Sequence, residues 1–351
     1  MAETEAIARP RGPLTELTRA RIREMIREPE ALFWMLIFPV VLSAILGLAF
    51  RSRPPEALPV AVVDGPSADA RMATLAAAGG LAPLRLSPAE ARRALTHGRV
   101  VLVISADAPP VYAYDSRQPE SLAARLAVDA ALQRAAGRAD VFTPGRAEVT
   151  EPGTRYVDFL VPGLLGMNLM GTGIWGIGFS LVVARNGNLL KRLVAAPVRR
   201  SHVLAAQLIS RLLFLVPEAG ALLLFGRFVL GVPLRGSFVL LVGISLLGAV
   251  AFSGLGLLTA TRARTIEGAS GVMNLVMVPM WIFSGIFFST ERFPAAMQPF
   301  VQALPLTALN DALRGVMLEG AGSLALLPKL AVLVAWGILS FVLALKLFRW
   351  Q

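Results

Sequence analysis

The side chains that could carry out chemistry are few in this chain, and none of them forms a catalytic pattern. It has no cysteine, so disulfides and thiolate metal sites are excluded. Its two histidines, His97 and His202, are far apart in sequence, so a histidine metal site is not expected. None of the lysines, Lys191, Lys329 and Lys346, follows a glycine, so the phosphate-binding pattern GxxxxGK with Ser or Thr is absent. We expect no catalytic residue, metal or cofactor in this chain; any ATP and Mg²⁺ that drive it would bind a partner subunit.

Glu218 is the acidic residue that lies deepest in an apolar run, directly after Pro217. A charge inside a membrane is costly, so such a residue is a functional candidate by default. Its partner could be Arg211, Arg227 or an arginine of another span. Two interpretations stay open: a structural ion pair, or a side chain in a transport path.

The elements that must position these side chains are six apolar runs, each close to the roughly 20 residues that cross a bilayer. One polar block, 51–157, separates the first run from the other five. With 55% hydrophobic and 16% charged residues, the composition favours a membrane protein over two soluble domains. The predicted fold class is an α-helical membrane bundle of six transmembrane helices with an inserted α/β extracytoplasmic domain. The runs are 32–50, 159–184, 203–225, 238–260, 268–289 and 326–347.

The arginine distribution orients the chain. Arginines cluster in the N-terminal segment, after the second run, after the fourth run and in the tail. All four regions lie on one side of a six-span chain, so the positive-inside rule makes that side cytoplasmic, with both termini. The net charge of +11 is therefore read as a topology signal, and no nucleic-acid partner is expected. The predicted location is a bacterial inner membrane, crossed several times.

Four regions follow from this pattern. Residues 1–31 are predicted to form a cytoplasmic amphipathic helix, which is either an anchor on the inner leaflet or a docking helix for a partner. Residues 32–50 form the first transmembrane helix, and 51–157 the extracytoplasmic domain. Residues 158–351 form a five-helix transmembrane region. In the outer domain, strands are expected at 58–64, 99–107 and 111–115, and helices at 67–80, 88–98 and 119–137.

The second run is rich in glycine, which lets helices approach closely. Tight packing is the simpler interpretation. The alternative places this run at a dimer interface or along a translocation path, where Asn168 and Thr172 would be among the few polar groups.

The loop after the second run, 185–211, has the sequence RNGNLLKRLVAAPVRRSHVLAAQLISR. It contains a short amphipathic stretch with an apolar face and a basic rim. Composition alone also fits an ordinary basic cytoplasmic loop. The candidate contact residues are Gly187, Leu189, Leu190, Lys191, Arg192, Leu193 and Pro197.

This loop, together with three further segments, resembles type-2 ABC exporter permeases. The segments are EPEALFWMLIFPVVLSAILGLAF (28–50), YVDFLVPGLLGMNLM (156–170) and SGIFFSTERFPAAMQPFVQALPLTALNDALRGVMLEG (284–320). The resemblance covers essentially the whole chain through the order and spacing of its segments. One departure is that Arg185 and Asn186 precede Gly187, where the family usually has an acidic residue.

The resemblance implies that this chain is the membrane subunit of an ATP-driven exporter. The 187–197 stretch would be a coupling helix seated in an ATP-binding-cassette ATPase subunit, and a second permease copy or paralogue would complete the pathway. Residues 291–322 would form a re-entrant pair of short helices. The expected substrates are hydrophobic or amphipathic: drugs, lipids or lipid-like metabolites. Two alternatives stay open, a proton-driven secondary transporter with Glu218 as carrier, and a membrane-anchored receptor with an outer ligand-binding domain.

Overall fold

The computed structural model describes residues 12–50, 57–139, 155–187, 200–261 and 265–347, with the single residues 142, 145, 153 and 263. It divides into two compact units. One is Ser52–Val149; the other joins Met1–Arg51 to Thr150–Gln351.

The smaller unit is an α/β layer structure. Numbered along the whole chain, its elements are β1 (Leu58–Val63), α4 (Ala68–Ala77), β2 (Leu81–Leu86), α5 (Pro88–Thr96), β3 (Leu102–Ile104), β4 (Tyr112–Ala113) and α6 (Pro119–Ala135). The sheet has the order β2-β1-β3-β4, with β1 parallel to both β2 and β3, and β4 antiparallel to β3. Successive strand residues face opposite sides, so Val60 and Val62 pack against α4 and α6, while Ala61 packs against α5.

Two local features of this unit differ from, or refine, the sequence-based expectations. Strand β2, with the sequence LAPLRL, was not predicted, because Pro83 interrupts the alternation of apolar and polar residues that is typical of a strand. The proline is tolerated because β2 lies at the edge of the sheet. Helix α5 begins with a capping box in which Ser87 and Glu90 bond each other's backbone N–H. The hydrogen bond from the Ser87 hydroxyl lowers the pKa of the Glu90 carboxyl.

The larger unit is helical. Within the residues that the structure describes, five of its helices are long and apolar enough to cross a membrane. They match five of the six predicted spans, whereas the first predicted span is a shorter apolar helix, Phe33–Ala49. The fifth predicted span ends earlier than expected, at Phe283, because Gly285 adopts a φ of 68° in the turn that follows.

The helices of this unit are numbered in chain order. Helix α1 is Pro13–Arg27; α2 is Pro29–Leu32, followed by the π-helical Phe33–Ile37 and by α3 (Phe38–Ala49). Helix α7 is Tyr156–Gly173, followed by the π-helical Ile174–Phe179 and by α8 (Ser180–Asn186). The remainder are α9 (Arg200–Phe228), α10 (Phe238–Ala260), α11 (Ile266–Phe283), α12 (Gln298–Ala303), α13 (Pro305–Arg314) with the π-helical Gly315–Glu319, and α14 (Leu327–Leu347).

The sequence explains where several of these helices begin. Ser237 and Thr265 accept hydrogen bonds from the backbone N–H groups of Leu240 and Gly268, which caps α10 and α11. Helices α12 and α13 form the expected pair of short helices between the last two long ones, and prolines near their first turns suit a helix start. Helix α7 lies at the centre of the core, where most of its residues are buried.

Candidate functional site

The glycines of α7 and its π-helical continuation let neighbouring elements approach closely. A Cβ added at Gly163 would lie 2.7 Å from the Ile286 carbonyl oxygen, and one at Gly173 would lie 2.7 Å from the Phe252 Cβ. At Gly178 it would lie 2.5 Å from the Gly256 carbonyl oxygen. These contacts are all within one chain, so they support the packing interpretation of the glycine-rich run.

Glu218 forms a buried ion pair with Arg211 on the same helix, α9. Arg211 Nη1 lies 2.6 Å from Glu218 Oε2, and the two side chains are only 2% and 1% exposed. Seven residues is close to two helical turns, so both side chains lie on one face. Arg227, nine residues beyond Glu218, is two and a half turns away and faces the opposite side; its Nη1 reaches the Val232 carbonyl at 3.5 Å.

Thr172, on α7, links this ion pair to the second apolar helix. Its hydroxyl lies 2.8 Å from Glu218 Oε1 and 2.7 Å from the Asn168 carbonyl, and it accepts a hydrogen bond from Arg211 Nη2. The amide of Asn168 in turn donates to the Met35 carbonyl at 3.0 Å. Met35 is in the π-helical segment of the first apolar helix, so the cluster joins three apolar helices.

The structure therefore brings together the three predicted path residues, Asn168, Thr172 and Glu218, although they are distant in sequence. All three are buried in the described chain. Their polar atoms bond one another, Arg211 and the Met35 backbone, which is how a polar group inside an apolar bundle is stabilised.

The candidate contact residues of the loop between α8 and α9 are largely beyond the described residues. Gly187 follows α8 and donates its N–H to the Val183 carbonyl at 2.9 Å. Leu189, Leu190, Lys191, Arg192, Leu193 and Pro197 lie outside the described residues, so their predicted role stays a prediction. Arg185, which departs from the family pattern, donates from Nη1 to the carbonyls of Ala260, Thr261 and Ala263 at 3.1 to 3.4 Å. It thereby ties α8 to the end of α10, where free carbonyls need donors.

Arg314 is a buried arginine that the sequence reasoning missed. Its guanidinium lies 3.6 Å from the centroid of the Phe159 ring, and Nε donates to the Phe159 carbonyl at 3.2 Å. Nη2 donates to the Gly285 carbonyl. Arg314 thus connects α13, α7 and the turn after α11. Its position at the end of an apolar helix within 284–320 was the signal that could have identified it.

Helix α11 presents an exposed polar group that the sequence reasoning also missed. One face, with Met273 and Met277, is buried. The other exposes Asn274 at the middle of the helix, beside Gly271, which has no neighbouring atom within 4 Å of an added Cβ. The helix also exposes apolar side chains, among them Val272, Leu275 and Val278. An amide in contact with hydrocarbon has no hydrogen-bond partner, so Asn274 itself is better suited to contact with water or protein than with lipid. Within the described residues, no group of three or more acidic or histidine side chains is placed to hold a metal.

Comparison with known proteins gives a family match across most of the chain. The model of the family described as "ABC-2 family transporter protein" matches residues 29–346. A probable multidrug ABC transporter permease, YbhS, of Escherichia coli K12 is 28% identical over 215 residues, covering 58% of this chain and 55% of that protein. The inner membrane transport permease YhhJ of the same strain is 28% identical over 174 residues, covering 49% of this chain and 46% of that protein.

A eukaryotic protein is similar over a comparable length. ABC transporter G family member 20 of Dictyostelium discoideum is 28% identical over 171 residues, covering 49% of this chain and 23% of that protein. The chain thus matches about half, or less, of the length of these three relatives.

Proposed function

Because the chain belongs to the ABC-2 family of transporter proteins, we propose that it is the membrane-spanning permease subunit of an ATP-driven exporter. The observation that carries the proposal is the family match over residues 29–346, which includes all five long apolar helices and the shorter first one. In this function the chain performs no catalysis. ATP and Mg²⁺ bind an ATP-binding-cassette partner, consistent with the missing phosphate-binding lysine pattern.

The proposed topology has six spans in a bacterial inner membrane, with both termini in the cytoplasm. The apolar helix Phe33–Ala49 is the first span; at 1.5 Å per residue its 17 residues reach about 25 Å, slightly less than a hydrocarbon core of about 30 Å. The preceding residues Pro29–Leu32 continue the same helix and lengthen it. The α/β unit then lies outside the cytoplasm.

The proposed coupling element is the inner loop between α8 and α9. Gly187 begins it, and Leu189, Leu190, Lys191, Arg192, Leu193 and Pro197 supply its apolar face and basic rim. Arg185 supports this role, because its bonds to the end of α10 join the start of the loop to a second long helix. A displacement of the loop by the ATPase would therefore move both helices together.

We place the transport path along the exposed face of α11, shared with a second permease copy. Asn274 supports this placement, because an aqueous or protein-lined path can satisfy its amide whereas lipid cannot. Asn168, Thr172 and Glu218 join the helices that flank the path. The cargo is a hydrophobic or amphipathic molecule, in line with the word multidrug in the name of one relative.

The accessibility of Asn274 tests the path. In this cysteine-free chain, Asn274→Cys should react with a water-soluble maleimide in the assembled transporter. Ile338→Cys is the matched control: Ile338 is also exposed at the middle of a long apolar helix, α14, but has no polar neighbour of this kind. Equal labelling of the two positions would contradict the path along α11.

The exporter itself is tested by purification and reconstitution. The full-length chain, isolated from native membranes, should retain an ATPase that contains the phosphate-binding loop. Proteoliposomes with both proteins should move a fluorescent hydrophobic dye only when ATP is present, and a lysine-to-alanine change in the ATPase loop should stop the movement. Transport that needs no ATPase and collapses with the proton gradient would instead support the secondary transporter.

A further inference from the structure

The second apolar helix, Tyr156–Asn186, is interrupted by a π-helical segment, Ile174–Phe179, which the proposed function does not yet use. Regular α-helix precedes it as α7 and follows it as α8. In a π-helical segment each hydrogen bond spans five residues instead of four, which breaks the regular α-helical pattern, and such segments occur frequently at functional sites. The segment therefore separates α7, which is buried in the core, from α8, which leads to the loop before α9.

One side of this segment is packed with no spare room. Gly173 and Gly178 face α10, where an added Cβ would lie 2.7 Å from the Phe252 Cβ and 2.5 Å from the Gly256 carbonyl oxygen respectively. From the other side, a Cβ added at Gly256 on α10 would lie 2.7 Å from the Gly173 carbonyl oxygen and 2.8 Å from the Ile174 carbonyl oxygen. The segment can therefore tilt about this contact but cannot move toward α10.

The opposite side is less tightly packed. A Cβ added at Gly176 would have Arg211 Cδ as its nearest neighbour, at 3.9 Å. A small cavity of about 10 Å³ lies here, lined by Arg21, Met25, Gly176, Ile177, Gln207, Ser210 and Arg211. Among the described residues, the buried Nε of Arg211 has no hydrogen-bond partner. This side therefore has room for an added methyl group and holds an unused donor.

Two arginines hold the segment from different helices. Arg21 of the amphipathic helix α1 donates from Nη2 to the Gly176 carbonyl at 3.4 Å. Arg211 of α9 donates to Thr172, two residues before the segment begins, and pairs with Glu218. Helix α1 also packs along α9, so a shift of α1 changes the contact that restrains Gly176.

From this arrangement we infer that Ile174–Phe179 is a hinge in the second apolar helix and that Arg21 is a positioning residue that latches it. The hinge lets α8 and the inner loop tilt while α7 stays fixed in the core by its glycine contacts and by the Arg211–Glu218–Thr172 cluster. Release of Arg21 from Gly176 frees the tilt. The role of the hinge in transport rests on the proposed function, but the hinge motion itself is a property of this chain alone.

Hydrogen exchange on the full-length chain in lipid nanodiscs tests the hinge without any partner. Gly176→Ala adds a methyl group where there is room and should slow amide exchange in 174–179 by about fivefold, the ratio expected from one glycine-to-alanine difference in helix propensity. Gly171→Ala is the matched control, because its Cβ also has room, 3.8 Å from Met277 Cε, but lies outside the π-helical segment. It should leave exchange in 174–179 unchanged.

The latch is tested in the same assay. Arg21→Gln should accelerate exchange in 174–179, whereas Arg19→Gln, on the exposed face of α1, should not. The hinge would be refuted if Gly176→Ala left amide exchange in 174–179 unchanged. It would also be refuted if each variant changed this exchange by the same amount as its control. In proteoliposomes with the ATPase, Gly176→Ala should lower dye movement per ATP about fivefold while Gly171→Ala does not. If the unaltered complex moves no dye with ATP, the proposed function fails, and the exchange data still decide on the hinge.

Discussion

Glu218→Gln tests the buried ion pair, because it removes one charge while keeping the shape and the hydrogen bond to Thr172. Two unit charges about 4 Å apart attract by about 4 kcal/mol at an effective dielectric constant of about 20. In the variant, the Arg211 guanidinium stays buried without a counter-charge. Removing one partner of a buried pair typically costs about 3–5 kcal/mol. Since glutamine retains the bond to Thr172, we expect a loss near the lower end, about 3 kcal/mol in the free energy of unfolding.

The double variant Arg211→Met with Glu218→Leu separates the pair from the packing around it. Both charges are then replaced by apolar groups of similar length, and such exchanges are often neutral or stabilising. Thr172 keeps the Asn168 carbonyl, 2.7 Å away, as its hydrogen-bond acceptor. We therefore expect the double variant to recover most of the stability that Glu218→Gln loses.

Reversible unfolding of the full chain in mixed micelles measures these differences, with its five tryptophans as the fluorescent probe. Glu267→Gln, an exposed acid at the start of α11, is the control and should change stability by less than about 0.5 kcal/mol. The ion-pair argument is refuted if Glu218→Gln behaves like this control, or if the double variant is less stable than Glu218→Gln. The same Glu218→Gln chain should keep ATP-dependent transport without a new pH dependence, because the pair joins helices and carries no proton.

Three further predictions concern the loop between α8 and α9 and the smaller unit. Arg192→Glu should leave insertion intact but weaken ATPase association and transport, measured by co-purification and dye movement; unchanged values for both would contradict the coupling role. Ser116→Cys, in an exposed turn, should react with an impermeant maleimide on intact spheroplasts, whereas Ala20→Cys in α1 should react only after the membrane is opened; the reverse order would invert the topology. The hydrogen bonds of Ser87 lower the pKa of Glu90. The stability that ionised Glu90 gives to α5 is therefore fully present above the ordinary glutamate pKa of about 4.3, and it is lost as the pH falls through the lowered pKa of Glu90. Hydrogen-exchange protection of α5, taken relative to Ser87→Ala, should therefore decline below about pH 4, and an unchanged ratio would reject the role of the capping box.

The smaller unit shows which local signals were sufficient. Helix α5 was expected at 88–98, with the glycine at position 98 as its stop, because such a signal acts within one turn of the chain. The capping box between Ser87 and Glu90 at its start was seen only in the structure. Strand β2 was missed because its hydrogen bonds are made to β1, more than twenty residues earlier, and its own sequence contains a proline. Pairing partners that are distant in the chain leave little trace in the strand itself.

The sequence by itself determined the membrane class, the approximate spans, the absence of a phosphate-binding lysine motif and the family resemblance. These depend on hydropathy, charge and motif spacing, which sum over neighbouring residues. Only the tertiary structure decided that Glu218 pairs with Arg211 and Thr172, that Asn168 reaches the Met35 carbonyl, and that Asn274 is exposed while Met277 is buried. The reason is physical: contacts between helices depend on how each helix is rotated against its neighbours. That rotation is set by close packing at positions such as Gly173 and Gly256, where a single added methyl group would not fit.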